Sequence, residues 1–220
     1  MPVSSKEIER ELYRMVDLLH QYDVDYWVDL GVLLGLAREG KPLAWDDDLE
    51  FGVWESEISK IQNVIRELPE FDYYTKSYNG LIQGITLMPK PQTDRVKTTF
   101  IIYYEGEDYA WSATGKRSNN WNIASRVHSA YHWHAKNNML LDPILNTIND
   151  IKTRWVPKRF FKNKTHNAEF KVNMPYPLED YLEYVYGEWK TPEKDYYYWR
   201  DSGLITDAEP SELINVEKHL

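Results

Sequence analysis

The segment Trp45-Asp46-Asp47-Asp48-Leu49-Glu50-Phe51-Gly52 concentrates the side chains best suited to chemistry. Its alternation predicts a strand from Asp46 to Val53, in which residues two apart share a face. Asp46, Asp48 and Glu50 then project together, with Leu49 and Phe51 turned into the core. Carboxylates crowded on one face repel each other, and a hard divalent cation with oxygen ligands is the usual compensation. The plainer reading of the same residues is an acidic, solvated edge strand.

The residues just upstream favour the first reading. A strand over Tyr26–Leu30 runs into Gly31, which opens a short helix from Val32 to Glu39. A helix N-terminus offers free N–H groups and positive dipole to a phosphate, and Gly31 permits close backbone approach. Arg38 and Lys41 add cations shortly before the acidic strand. Together these parts describe a site for a nucleotide-activated phosphate and its Mg²⁺. Gly31 alone reads equally as an ordinary tight turn.

The remaining elements must hold that site. Ser4 and Glu7 have capping-box spacing, and Ile8, Leu12, Met15, Val16 and Leu19 then follow at helical intervals. Gly40 is placed to end the second helix, and Pro42 forbids its continuation. An amphipathic helix is predicted over Ser56–Leu68. Strands follow over Phe71–Thr75, Leu81–Met88 and Thr98–Tyr104, with a hairpin turn at Gly106. The stretch 119–167 gives no clear pattern, and a helix is predicted over Leu178–Tyr186. This order implies an α+β or α/β-like fold with a mixed sheet.

Composition narrows the classes. The chain has 220 residues and a formal net charge of -9, which argues against general nucleic-acid binding. It has no cysteine, so disulfides and thiolate chemistry are excluded and a reducing compartment fits. No secretory leader is read at the start, and no apolar run approaches the roughly 20 residues of a membrane span. A cytoplasmic location is expected, with peripheral association at the inner face of the membrane as an option. The 17 Tyr and 9 Trp exceed what core filling alone requires.

Two blocks carry a family resemblance. Tyr26-Trp27-Val28-Asp29-Leu30-Gly31-Val32-Leu33-Leu34-Gly35-Leu36-Ala37-Arg38-Glu39-Gly40, followed by Pro42-Leu43-Ala44-Trp45-Asp46-Asp47-Asp48-Leu49-Glu50-Phe51-Gly52, resembles the signature of the LicD family. That family includes fukutin and fukutin-related protein. A second block, Tyr176 to Pro192, is similar to the family's closing element. The resemblance implies a nucleotidyltransferase-type mixed sheet flanked by helices, with an aromatic-rich C-terminal extension. It implies one LicD-like domain over residues 1–220, with a core and metal site in 1–115 and an elaborated portion in 116–220. It also implies transfer of a phospho-alcohol from a CDP-linked donor to a glycan hydroxyl, releasing CMP. Carried over, Asp46, Asp48 and Glu50 match the acids that bind Mg²⁺ or Mn²⁺ and serve catalysis. Gly31 and Arg38, with Lys41 nearby, fall where the donor phosphates are expected. The departures are Leu30 and Val32 beside Gly31, Glu50 for an aspartate, and threonines in Lys97–Tyr103 where such folds often place a further acid.

Phosphocholine is the favoured cargo, because Trp189 and Tyr196-Tyr197-Tyr198-Trp199 could cage a quaternary ammonium. Tail packing is the plainer reading. Glycerol phosphate or ribitol phosphate would instead be met by Asn119, Asn120, Asn122, His128, His132 and His134. Those histidines also read as surface groups rather than zinc ligands. Lys158, Arg159, Lys162 and Lys164 read as a solvated basic face or as contacts to an anionic glycan, the pyrophosphate or a lipid headgroup. True nucleotidyl transfer, and a glycan- or nucleotide-binding protein without turnover, remain the alternatives.

Overall fold

The computed structural model describes residues 4–43, 45–78, 81–115, 151–193 and 205–206. Helix α1 (Ser5–Gln21) starts on the capping box: Ser4 Oγ accepts the Glu7 N–H at 3.3 Å, and Glu7 Oε2 accepts the Ser4 N–H at 2.6 Å. Its stripe of Ile8, Leu12, Met15, Val16 and Leu19 is fully buried. Strand β1 (Tyr26–Val28) leads into α2 (Leu30–Glu39), which Gly40 ends in the left-handed region at φ 66°. Strand β2 (Asp48–Trp54) continues through a 3₁₀ turn at Glu55–Glu57 into α3 (Ile58–Arg66). Then come β3 (Phe71–Tyr78), β4 (Leu81–Pro89), β5 (Lys97–Glu105) and β6 (Tyr109–Gly115). The later part contributes β7 (Ile151–Pro157), a single turn α4 (Arg159–Lys162), β8 (Thr165–Asn167), β9 (Val172–Met174), α5 (Leu178–Tyr186) and β10 (Ile205–Thr206).

The sheet is mixed, and the fold is α+β as the element order implied. Strands β2 and β5 run parallel, in register from Asp48 beside Lys97 to Trp54 beside Tyr103. The other pairings are antiparallel. Strand β5 changes partners along its length. Its first part lies between β2 and β4, while Tyr104 and Glu105 pair with β6. That hand-over curls the sheet and carries it on through β7 to β10. Strands β8 and β9 form a separate ribbon.

Aromatic packing ties the later segments to the first half. Trp27 stacks on Phe161 of α4 at 4.1 Å between ring centroids and meets Trp54 at 5.1 Å and Tyr103 at 5.2 Å. Gly52 makes this possible, since a Cβ there would lie 2.2 Å from the Trp27 ring.

Two predicted boundaries move, each for a local reason. The first strand stops at Val28 because Asp29 is already the N-cap of α2. The acidic strand begins at Asp48 because Asp46 lies in a turn, its N–H bonded to Leu43 O at 3.2 Å. The stretches holding His128, His132, His134, Asn119, Asn120, Asn122 and Tyr196 to Trp199 lie outside the described residues.

Candidate active site

Two chain segments meet at the start of α2. The Asp29 side chain caps the helix by accepting the Leu30 N–H at 2.9 Å. Glu50 of β2 reaches across and accepts the Gly31 N–H at 3.0 Å. Two amides expected to await a phosphate are therefore held by the protein's own carboxylates. Gly31 also leaves room for Asp46: a Cβ there would sit 2.3 Å from Asp46 Oδ2 and push that side chain aside. Leu30, by contrast, occupies the left-handed region at φ 47°, where glycine is favoured.

The acidic turn and strand face a cavity of about 440 Å³, whose lining includes Gly31, Asp46, Asp48 and Glu50. One carboxylate oxygen each from Asp46, Asp47 and Asp48 lies within 4.8 Å of the others. Burial first, and then the neighbouring Asp48 charge, push the Asp46 carboxyl up to about 7. Glu50 is also raised well above the carboxylate range by burial, then by Asp48 and Asp46, with the Gly31 N–H opposing. A set of crowded oxygen donors that strains against its own charge fits a hard divalent cation. Among the described residues, the carboxylates brought within that 4.8 Å reach are Asp46, Asp47 and Asp48; Glu50, expected with Asp46 and Asp48 from the sequence, instead accepts the Gly31 N–H and lines the same cavity.

Lys97, which the sequence reading did not single out, places its ammonium 2.5 Å from Asp48 Oδ2. Burial works most strongly against its charge, but Asp48, joined by Asp47 and Glu50, together outweighs it and the lysine pKa is raised. Thr99 stands beside Glu50 in the parallel ladder and lines the cavity, at the position where a further acid was sought. Its Oγ1 is 3.2 Å from that of Thr86, and the nearby Gln83 and Ser112 complete a floor of hydroxyl and amide groups.

Arg38 faces a second cavity, of about 260 Å³, which shares Leu34, Leu43, Trp45 and Tyr186 with the first. Its guanidinium lies 5.7 Å from the centroid of the Trp45 ring and 3.3 Å from Glu39 Oε1. Glu188, Trp189 and Glu193 line the same space. Lys41 is exposed and lines neither cavity. In the later basic stretch, Lys158 bonds Glu105 at 2.9 Å and Lys164 pairs with Asp25, while Arg159 and Lys162 line a surface groove.

Sequence reasoning also missed Asp29 as a hub. Fully buried, it accepts from Tyr103 Oη at 2.8 Å and from Tyr181 Oη at 2.8 Å, with Arg154 Nη1 3.6 Å away. Asp29 stood inside the motif, but Arg154 lay in the unreadable stretch and carried no signal.

The Asp29-capped helix, with Gly31 in its first turn, and the acidic turn thus face one cavity over a mixed sheet. Residues 23–123 match the family described as LicD/FKTN/FKRP, nucleotidyltransferase domain, which supports assignment to the LicD family. An uncharacterized protein of Rickettsia prowazekii (strain Madrid E), RP689, is 29% identical over 66 residues, covering 29% of this chain and 25% of its own length. Two solved structures are similar to parts of the chain. ANT(2″)-Ia in complex with adenylyl-2″-tobramycin gives a TM-score of 0.35 at 10% identity, over 45% of this chain and 51% of that one. Terminal uridylyl transferase 4 from Trypanosoma brucei with bound GTP gives 0.30 at 13% identity, over 46% and 31%. The chain thus spans a quarter of the Rickettsia protein and about half and a third of the two structures. Among the described residues, no helix is long and apolar enough to cross a membrane.

Proposed function

We propose that the protein is a metal-dependent phosphotransferase that moves a phospho-alcohol unit from a CDP-linked donor to a glycan hydroxyl. The observation that carries this reading is the convergence of Gly31, Asp46, Asp48 and Glu50 on one cavity. The acceptor oxygen attacks the distal phosphorus, the bond from that phosphorus to the bridging oxygen breaks, and CMP leaves with the bridging oxygen. Asp48, central in the acidic turn, accepts the acceptor's proton. Mg²⁺ or Mn²⁺ at Asp46, Asp48 and Glu50 supplies charge neutralisation for the phosphates. Gly31 keeps the space that Asp46 occupies, and Lys97 orients Asp48. Arg38 serves the end of the donor that enters the second cavity.

Phosphocholine is the favoured cargo. Trp45, Tyr186 and Trp189, with Glu188 and Glu193, give the second cavity the aromatic and acidic lining that suits a trimethylammonium group. A polyol phosphate such as glycerol or ribitol phosphate is the second reading, favoured by the Gln83, Thr86, Thr99 and Ser112 floor. Product analysis with CDP-choline, CDP-glycerol and CDP-ribitol and a glycan acceptor tests the proposal. Mg²⁺-dependent release of CMP, lost in Asp48→Asn, is expected. Release of pyrophosphate from a nucleoside triphosphate would indicate nucleotidyl transfer. Binding of donor without any release would indicate a binding protein.

A further inference from the structure

Arg154 on β7 lines the acidic cavity together with Asp46, Asp48 and Glu50, yet only 5% of it is exposed. A guanidinium buried to that degree is costly unless it is paired and hydrogen-bonded. Its Nη1 donates to Tyr103 Oη at 3.0 Å and lies 3.6 Å from Asp29 Oδ2. That second separation exceeds hydrogen-bond length. The Asp29 carboxylate is meanwhile supplied by other donors: Tyr103 Oη at 2.8 Å on Oδ2, and Tyr181 Oη at 2.8 Å and the Leu30 N–H at 2.9 Å on Oδ1. Asp29 therefore faces Arg154 with an opposite charge at Nη1, without a direct hydrogen bond. Arginine carries five N–H donors in one plane. Among the described residues, the contacts above all leave from Nη1.

Among the described residues, the rest of this cavity's lining is anionic or neutral except for Lys76, on β3. A phosphate that enters beside three carboxylates needs a cation to face, and a planar guanidinium matches phosphate oxygens bidentately. Arg38, the arginine that the motif suggests, lines the neighbouring cavity instead.

We infer that Arg154 binds a phosphate group in the acidic cavity, and that Asp29, Tyr103 and Tyr181 are positioning residues that present its guanidinium. This rests on the proposed donor chemistry, but it needs only a phosphate and not a particular nucleotide. The test is calorimetric binding of inorganic pyrophosphate and, separately, of CDP, both with Mg²⁺. It compares the wild type, Arg154→Lys, and the double variant Asp29→Asn/Arg154→Met, which removes both buried charges together. Neither variant leaves a buried charge unpaired: Arg154→Lys keeps the cation without the planar fork, and the double variant removes both charges.

The expected result is a loss of roughly tenfold or more in pyrophosphate affinity for the double variant, partly restored in Arg154→Lys, with cooperative unfolding intact in both. Wild-type affinity in the double variant overturns the inference, as does a wild type that binds neither probe. A wild type that binds pyrophosphate but not CDP sinks the cytidine donor while leaving the Arg154 inference to be decided on pyrophosphate alone.

Discussion

Gly31 and Leu30 stand side by side with opposite demands. At Gly31 the constraint is space, because a methyl group would overlap Asp46 Oδ2. Gly31→Ala should leave the fold intact yet displace the Asp46 carboxylate. Displacing a group that orients a metal site typically costs about 10–100-fold in metal affinity, and titration with Mn²⁺ measures it. At Leu30 the constraint is backbone conformation, since φ 47° is strained for a residue with a Cβ. Leu30→Gly should therefore be neutral or stabilising by up to about 1 kcal/mol. Leu33→Gly, fully buried within the same helix, should cost at least about 3 kcal/mol. Urea midpoints for the two variants check the contrast.

At the level of elements, α5 is fastened to the site helix through chemistry as well as packing. Tyr181, Leu182 and Val185 form its buried face. Tyr181 alone reaches the Asp29 carboxylate that caps α2. Tyr181→Phe keeps the ring and removes one of the two donors on Asp29 Oδ1, so it should destabilise by about 1–3 kcal/mol. A shift in urea midpoint with an unchanged slope would confirm a lost native contact. A change of only a few tenths would mean that α5 is held by its apolar face alone. The aromatic excess of the tail is thus partly structural: Tyr181 packs inward, while Tyr186 and Trp189 line cavity walls.

For the whole molecule, the acidic turn is a cluster of like charges that a bound cation would relieve. On the proposed reading, Mg²⁺ or Mn²⁺ would bind the folded site and find no comparable site in the unfolded chain. At 100 times its dissociation constant it should add about 2.7 kcal/mol of stability. Asp48→Asn should abolish that gain; with chelator present, loss of one crowded charge is offset by loss of the ion pair to Lys97, so the variant's melting temperature should change little. Melting curves with EDTA and with Mg²⁺, for wild type and variant, measure both effects. An equal metal-induced shift in the variant would place the cation elsewhere.

The local features were legible in the residues themselves because they depend on near neighbours. The capping box at Ser4 and Glu7, the Gly40 stop and the strand periodicity of the acidic segment are short-range in origin, and all appear in the structure. The spacing of Asp46, Asp48 and Glu50 suggested one strand face; Asp46 instead lies in the turn before the strand, and the three line one cavity. Only the tertiary structure decided what faces them. Lys97 reaches Asp48 through a parallel pairing across some fifty residues of chain, and Arg154 arrives on β7. Tyr181 comes from a helix 152 positions beyond the carboxylate that it supports. No periodicity or motif encodes such meetings, because they follow from sheet order and from the curl of β5, which are set by the packing of the whole chain. The same packing turned Glu50 onto the Gly31 amide and Arg38 toward Trp45, since a buried charge goes where a partner can satisfy it.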